Sequence, residues 1–357
     1  MNKSSIAASK KKHNSFKDGR GNVNIIAELS ANHRQDKKLA LQTILAARDA
    51  GADAVKFQTF RPDTMTISCH NELFENLLCG TLWEGRSLYN LYEESTLPWD
   101  WHEELFRYAR NVGVDVFSSP FDRTAVDFLE PLNPSHYKIA SFEIFDIPLI
   151  EYAARKGRPM IISTGIATLA DIELAVQACH NAGNKNITLL KCTSSYPAPL
   201  EEANLLTIPN MKETFGLDVG LSDHTLGASA AVAAVALGAT VIEKHFILDR
   251  SIGGPDSSFS MEPSEFKGMV TSIREVEKAL GKVSYELTEK TSKSKIFARS
   301  LFVVEDSKAG ELVTEKNVRS IRPGYGLHPK YFNQILGKHF CLDVEGGTPL
   351  GWDLISK

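Results

Sequence analysis

Polar and charged residues stand at the ends of eight short apolar runs in this sequence. Runs of this type form buried strands, so the residues at their ends would lie together at one edge of a sheet. In chain order these residues are Glu28, Asn32 and His33; Lys56 and Gln58; Ser118 and Ser119; Lys138, Ser141 and Glu143; Ser163 and Thr164; Thr193, Ser194 and Tyr196; Ser222, Asp223 and His224; and Glu243, Lys244 and His245. Such a set indicates a site that does chemistry.

Two lysines of this set, Lys56 and Lys138, are candidates for binding an anion. An ammonium group is a point charge that suits phosphate or carboxylate, and hydroxyl groups beside it add hydrogen-bond donors. The alternative is that the lysines form structural ion pairs with Glu28 or Glu143. Because serines end the neighbouring runs, a ligand with phosphate and carboxylate groups is favoured.

Two histidines, His224 and His245, end the last two runs. On adjacent strands their imidazoles would meet at one point, which is the geometry of a two-histidine metal site. Asp256 follows in the next loop. With only two nitrogen ligands, we expect an open site for a divalent metal, Mn²⁺ or Mg²⁺, rather than a closed zinc site. The alternative is that each histidine is a structural hydrogen-bonding residue.

The elements that position these residues follow a βα rhythm, because amphipathic stretches separate the apolar runs. The runs are NIIAE (24–28), ADAVKFQT (52–59), VDVFSS (114–119), HYKIAS (136–141), RPMIIST (158–164), NITLLKCT (186–193), LDVGLS (217–222) and ATVIEKH (239–245). Eight parallel strands with intervening helices predict an α/β fold, a closed (β/α)8 TIM barrel rather than an open doubly wound sheet. No G-x-G-x-x-G motif follows the first run, which argues against a dinucleotide-binding fold.

The segment 61–113, between the second and third runs, is too long for a single helix. Its part LWEGRSLYNLYEESTLPWDWH (82–102) is rich in aromatic residues. Such an insertion lies over the carboxyl ends of barrel strands, where it acts as a lid or specificity element. Its tryptophans Trp83, Trp99 and Trp101 are either packing residues or a platform for a sugar.

Composition divides the chain into four parts. Residues 1–22 are polar and aperiodic, which is typical of a flexible lead-in; a nucleic-acid-binding tail is the weaker alternative. Residues 23–284 form the barrel, 285–295 (YELTEKTSKSK) a polar linker, and 296–357 a small second domain with short β-type runs.

Charge and cysteine content exclude several classes of protein. The formal net charge of -4 argues against a general nucleic-acid binder. The five cysteines are odd in number and contain no CxxC pair, as expected in a reducing, cytoplasmic setting. No apolar run is long enough to span a membrane, and the N-terminus lacks the apolar stretch of a signal peptide.

Several strings taken together resemble the sialic acid synthase family. They are IIAELSANH, GADAVKFQT, YKIASFE, ISTGIAT, LKCTSSYPAP, GLSDHT, LGATVIEKHF and PDSSFSMEP. The likeness covers nearly all of the chain after about residue 22. It implies a TIM barrel followed by a C-terminal antifreeze-like (SAF) domain, and the condensation of phosphoenolpyruvate with an amino-sugar aldehyde.

Within that family, the insertion and the strings IFARSLFV and IRPGYGLHPKYF are most similar to pseudaminic acid synthases. This implies the substrate 2,4-diacetamido-2,4,6-trideoxy-L-altrose, with phosphate released by C–O cleavage. The alternatives are a sialic or legionaminic acid synthase of the same mechanism, another phosphoenolpyruvate-dependent synthase of 3-deoxy sugar acids, or a catalytically silent barrel that binds a sugar or partner.

The resemblance also implies roles for individual residues. The metal would be bound by His224 and His245. Phosphoenolpyruvate would be held by Lys56, Lys138, Ser141, Ser163, Ser194 and Ser222, with Ser119 as a further substrate-binding residue. The sugar and the attacking water would face Glu28, Gln58, Glu143, Tyr196 and Asp256.

Two further points follow from the resemblance. Family members form domain-swapped homodimers, in which an arginine at the position of Arg322 reaches the sugar site of the partner. The alternative is that Arg322 pairs with an acidic surface residue. The string NHRQD departs from many members, which place a glycine soon after NH, and this departure predicts a reshaped first loop.

Overall fold

The computed structural model describes residues 23–356 with the exception of 70, 76, 77 and 79. The predicted lead-in, residues 1–22, therefore lies outside the described residues. The chain divides into two compact units, one ending at Gly281 and the other beginning at Lys282. The predicted boundaries at 284 and 295 stay a prediction.

In the described part of the chain, eight parallel strands form a closed barrel in the order β1 to β8, and β1 pairs with β8. The strands are β1 (Asn24–Glu28), β2 (Ala54–Thr59), β3 (Asp115–Pro120), β4 (Tyr137–Ile139), β5 (Met160–Ser163), β6 (Ile187–Cys192), β7 (Asp218–Asp223) and β8 (Val241–His245). Each lies within or overlaps one predicted run. The predicted TIM barrel is confirmed.

Helices surround the barrel and also fill the insertion after β2. They are α1 (Lys37–Asp49), α2 (Pro62–Met65), α3 (Glu72–Glu75), α4 (Leu88–Ser95), α5 (His102–Val112), α6 (Arg123–Leu129), α7 (Ile147–Ala154), α8 (Leu169–Asn181), α9 (Thr207–Phe215), α10 (Ser229–Ala236) and α11 (Pro263–Leu280). Side-chain caps fix several of their starts. The Asp36 carboxylate accepts from the first amides of α1, and Thr168 with Asp171 forms a capping box on α8.

One apolar layer inside the barrel determines where the polar site begins. Its side chains, all buried, come from Ile26, Ala54, Phe117, Ile161, Leu190 and Val241. Side chains alternate in direction along a strand, so the next inward-facing residue is two positions further on. Those residues are Glu28, Lys56, Ser119, Ser163, Cys192 and Glu243. The sequence thus places a polar layer directly above an apolar one.

Gly220 of β7 lies at the level of this apolar layer, where there is no room for a side chain. A Cβ atom at this position would lie 2.3 Å from the carbonyl oxygen of Val241 and 2.7 Å from Leu190 Cδ2. Because the backbone of β8 approaches this closely, any side chain here would push apart the two strands that carry His224 and His245 at their ends.

The second unit contains α12 (Glu289–Lys293), an antiparallel pair formed by β9 (Ser300–Val303) and β10 (Val318–Ile321), and α13 (Phe332–Ile335). Its small core includes Leu301, Val303, Val318 and Phe340. Helix α12 lies in the segment predicted as a linker. Of the described helices, none combines the length and the apolar character that crossing a membrane requires.

Candidate active site

A cavity of about 900 Å³ opens at the carboxyl ends of the barrel strands, a size suited to small-molecule ligands. Most of the predicted site residues line it, namely Glu28, Lys56, Gln58, Lys138, Ser141, Glu143, Ser163, Ser194, Tyr196, Ser222, His224, His245 and Asp256. Ser119 lies beneath the lining, where it accepts a hydrogen bond from Lys56 Nζ at 3.4 Å. Arg322 belongs to the second unit and is exposed.

Two buried lysines and two buried glutamates form the floor of this cavity. Lys56 Nζ lies 2.7 Å from Glu28 Oε2 and 3.6 Å from Glu243 Oε1. Lys138 Nζ lies 3.4 Å from the same oxygen of Glu243. The ion-pair alternative thus describes Lys56 with Glu28, but the second acidic partner is Glu243 rather than Glu143. Ion pairing and anion binding are compatible, because both ammonium groups line the cavity.

The two lysines differ in how firmly they hold their protons. Burial would lower the pKa of Lys56, but Glu243 and Glu28 outweigh it and raise that pKa. For Lys138 burial dominates and lowers the pKa, with only partial opposition from Glu243. Burial also disfavours the charged form of Glu28, which raises the pKa of this carboxyl group. An anion that enters the cavity would therefore stabilise the charged form of Lys138 most.

Five buried polar atoms of cavity-lining residues have no hydrogen-bond partner among the described residues. They are Ser163 Oγ, Glu143 Oε2, Glu243 Oε2, His245 Nδ1 and Glu28 Oε2, the last of which is ion-paired with Lys56. A buried polar group without a partner costs about 1–3 kcal/mol, so such groups are rare in native structures unless a ligand or water satisfies them.

Burial raises the pKa of Glu143 to about 7. This carboxyl group can therefore exchange a proton near neutral pH.

Serine hydroxyls form one wall above the floor. Ser141 Oγ and Ser194 Oγ lie 2.7 Å apart, and Ser222 Oγ donates to Glu243 Oε1 at 3.2 Å. A Cβ atom on Gly165 would lie 2.0 Å from Ser194 Oγ. The absence of a side chain at position 165 thus lets the chain after β5 pass beside the serine pair.

His224 and His245 come together as predicted, with ring centroids 5.4 Å apart. His224 Nδ1 lies 2.9 Å from the Thr193 carbonyl oxygen, which directs Nε2 away from this bond. Burial and the neighbouring His224 hold the pKa of His245 well below its ordinary value, so this ring is neutral as a ligand must be. Burial would lower the pKa of His224 too, but Cys192 and Thr193 raise it above its ordinary value.

These two rings fit a divalent metal that takes its remaining ligands from water or substrate. Metal–nitrogen bonds are about 2.1 Å, so centroids at this separation allow one nitrogen of each ring to reach a shared ion. Within the part of the chain that the structure describes, no group of three or more His, Cys, Asp or Glu side chains could hold a metal ion. A closed protein cage is therefore not present there.

Aromatic rings and one carboxylate form the upper wall. Tyr196 packs on His224 with a centroid distance of 4.3 Å, and Trp83 lies 6.1 Å from Tyr196. Trp83 Nε1 donates to the Pro255 carbonyl oxygen at 3.0 Å. The adjacent Asp256 accepts a short hydrogen bond from the Ser30 hydroxyl. Of the three tryptophans in the insertion, Trp83 faces the cavity.

The other two tryptophans are packing residues. Trp99 stacks on Phe128 at 4.4 Å, and Trp101 packs against the barrel core. Their position gives no support to a sugar platform at these two residues.

Comparison with known proteins identifies the two units separately. Residues 43–285 match the NeuB family, and residues 298–356 match the SAF domain. The chain belongs to the NeuB family. The predicted resemblance to the sialic acid synthase family, with its C-terminal SAF domain, is confirmed.

The NeuB-family chain is 47% identical to the pseudaminic acid synthase of Helicobacter pylori over 93% of this chain and 98% of that protein. It is 40% identical to the N,N'-diacetyllegionaminic acid synthase of Campylobacter jejuni over 88% of this chain and 94% of that protein. A solved structure, the spore coat polysaccharide biosynthesis protein SpsE of Bacillus subtilis, is similar with a TM-score of 0.64, at 35% identity and 96% coverage of both chains.

Two strand-end residues of this NeuB-family site, Glu243 and Lys244, were named from the sequence but given no role. Glu243 contacts both floor lysines, and its signal was its position two residues before His245, which puts both side chains on one face of β8. Lys244 points to the other face, where its Nζ lies 2.7 Å from Asp223 Oδ2 in a fully buried ion pair. That pair joins the ends of β7 and β8 directly beside the two histidines.

Proposed function

We propose that the protein is an enzyme that condenses phosphoenolpyruvate with 2,4-diacetamido-2,4,6-trideoxy-L-altrose to form pseudaminic acid and phosphate. The observation that carries the reaction is the buried floor of Lys56, Lys138, Glu28 and Glu243 beside two histidines at the strand ends. The choice of sugar is supported by the higher identity to a pseudaminic acid synthase than to a legionaminic acid synthase.

Phosphoenolpyruvate would bind at the floor. Lys56 and Lys138 would hold its phosphate and carboxylate, and Ser141, Ser163 and Ser194 would donate hydrogen bonds to the same oxygens. Ser163 has a buried hydroxyl without a partner among the described residues, which such an oxygen would satisfy. The lysines also stabilise the phosphate as it leaves.

The sugar would bind against the insertion. Phe60, Leu91, Tyr92 and Trp83 give this half of the cavity an apolar wall, which suits the C6 methyl group and the acetamido methyl groups of a 6-deoxy diacetamido sugar. A Mn²⁺ or Mg²⁺ ion would be held by His224 and His245, and when bound it supplies Lewis acidity at the aldehyde oxygen.

The proposed reaction forms one C–C bond and one C–O bond and breaks the C–O bond to phosphate. C3 of phosphoenolpyruvate forms a bond to the aldehyde carbon, which leaves C2 electron-deficient. The aldehyde oxygen takes a proton from Glu143, whose pKa of about 7 suits a proton donor near neutral pH. Water adds to C2 and gives its proton to Glu28. Gln58 Nε2 donates to Glu28 Oε1 at 3.0 Å and orients that carboxylate. The C2 hydroxyl group then gives its proton to a phosphate oxygen and forms the C2 carbonyl as the C–O bond to phosphate breaks, which releases phosphate and the keto acid that closes to pseudaminic acid.

The test is a panel of 2-acetamido and 2,4-diacetamido sugars incubated with phosphoenolpyruvate and Mn²⁺ and read by mass spectrometry and phosphate release. Product only from the diacetamido altrose sugar supports the proposal. Product from the corresponding mannose-type sugars instead would make the protein a sialic or legionaminic acid synthase. No phosphate release with any sugar would favour a non-catalytic sugar-binding barrel.

We also propose that the protein acts as a domain-swapped homodimer in which Arg322 completes the partner's sugar site. Loops after β4 to β7 expose the apolar side chains Phe142, Ile166, Leu200 and Leu226, which a second copy would cover. Mixing inactive Lys56→Ala and Arg322→Ala chains should restore some activity, because one hybrid site is intact. Verified heterodimers that stay inactive would reject this arrangement.

A further inference from the structure

The first βα loop, between β1 and α1, ends in two successive residues with left-handed backbone. Arg34 has φ 49° and Gln35 has φ 55°, a region that favours glycine. Residues other than glycine persist there only when their surroundings hold them. His33 Nδ1 accepts a hydrogen bond from the Gln35 amide at 3.1 Å. The string NHRQD therefore places two residues other than glycine in this region, and the reshaping of the first loop stays a prediction.

The Gln35 side chain caps the end of α4. Its Nε2 donates to the carbonyl oxygens of Glu94 at 3.1 Å and Thr96 at 2.5 Å. The last carbonyl groups of a helix have no partner within the helix. A residue of the first loop thus supplies hydrogen bonds that the insertion cannot supply itself.

Glu94 is held by two arginines. Arg34 Nη1 lies 2.6 Å from Glu94 Oε1, and Arg86 makes a short contact with Oε2. Arg86 precedes Ser87, whose hydroxyl caps the start of α4. Because Glu94 stands at the other end of the same helix, the arginines fix α4 at both ends and tie it to the first loop.

Helix α4 in turn forms part of the cavity wall, through Leu88, Leu91, Tyr92 and Ser95. We propose that Arg34, Gln35 and Glu94 are positioning residues that hold this wall in place and thereby determine which sugar the site accepts. This inference rests on the proposed function. Lys56 stands on β2 and Lys138 on β4. Loss of the contacts that Arg34, Gln35 and Glu94 make with one another and with α4, which we call the clamp, therefore leaves the anion half of the cavity intact.

The variant Gln35→Gly separates the effect of the clamp on sugar binding from its effect on the stability of the protein. Glycine relieves the left-handed backbone, and this gain offsets the loss of both hydrogen bonds to α4, so we expect the midpoint of thermal unfolding to stay about equal. The KM for the diacetamido sugar should rise roughly five- to tenfold, while the KM for phosphoenolpyruvate changes by less than about twofold. Glu94→Ala should shift the sugar KM in the same direction. The matched control is Glu93→Ala, an exposed neighbour on α4, which should change neither KM.

Amide hydrogen exchange at Leu91 and Thr96, whose amides bond within α4, distinguishes failure of this inference from failure of the proposed function. Faster exchange in Gln35→Gly supports the clamp even if the wild type makes no pseudaminic acid, in which case the proposed function alone fails. An active wild type combined with unchanged exchange and an unchanged sugar KM would overturn the clamp. Equal rises in both KM values with a lowered midpoint would also overturn it.

Discussion

Replacing Glu143 by glutamine tests the electrostatics of the sugar half of the cavity. Burial raises the pKa of Glu143 to about 7, and Lys138 opposes the rise only in part. Glutamine has nearly the same shape as the protonated acid and cannot ionise. We therefore expect the stability of Glu143→Gln to match that of the wild type at low pH and to exceed it as pH rises and the carboxyl group ionises in the unfolded chain.

The magnitude follows from the pKa shift. A rise from 4.5 to about 7 corresponds to about 3 kcal/mol, at about 1.4 kcal/mol per pKa unit. Between these pH values the folded protein keeps the proton that the unfolded chain has lost, so this residue makes the free energy of unfolding fall as pH rises through the window. Above about pH 7 the contribution is constant. The stability margin of Glu143→Gln over the wild type should therefore grow by up to about 3 kcal/mol.

Urea unfolding followed by tryptophan fluorescence, at about pH 5 and about pH 8, measures this margin. The control Glu93→Gln removes an exposed carboxylate from the barrel unit and should follow the wild-type pH dependence. A margin for Glu143→Gln that is equal at both pH values would refute the reasoning. As a second readout, kcat/KM of the wild type should fall above about pH 7 as the acid ionises. The variant should have a lower kcat/KM, because glutamine cannot donate the proton, and should lack this limb.

Three further predictions concern separate parts of the cavity. His245→Ala should weaken Mn²⁺ binding at least roughly tenfold by calorimetry, because one of two imidazole ligands is lost; unchanged affinity would place the ion elsewhere. Lys138→Ala should raise the KM for phosphoenolpyruvate, since a charge-assisted hydrogen bond contributes about 1.5–3 kcal/mol; steady-state kinetics in which only the sugar KM changes would contradict this. Tyr92→Ala should change the ratio of kcat/KM between diacetamido and monoacetamido sugars, whereas Tyr89→Ala, outside the cavity lining, should not. Equal losses for all sugars in Tyr92→Ala would make that residue a packing residue.

The barrel was predictable because each strand is a short apolar run between amphipathic stretches. Strand ends were less predictable. HYKIAS contains only the three-residue strand Tyr137–Ile139, because a 3-10 turn begins at Ser141 and aims Glu143 into the cavity. Composition gave no sign of α12, which lies within the polar stretch 285–295. The signal was the i,i+4 pair of Glu289 and Lys293, which lie 2.7 Å apart.

The site was predictable at the level of single residues but not of their pairings. Alternation along β8 separates Glu243 and His245 from Lys244, and this rule could have been applied to the sequence. By contrast, the contact of Glu243 with Lys56 and Lys138 depends on barrel closure. No local pattern carries that information. The clamp on α4 depends in the same way on a loop that is remote in sequence.

The buried ion pair of Asp223 and Lys244 limits which substitutions these two positions can accept. Either substitution alone would leave an unpaired charge inside the protein, which typically costs about 3–5 kcal/mol, whereas replacing both with well-packed apolar residues is often tolerated. A change from the ion pair to an apolar pair, made one substitution at a time, therefore passes through an unstable single variant. Random single-site mutagenesis would therefore record both positions as intolerant, and only libraries that vary them jointly would find the apolar alternatives.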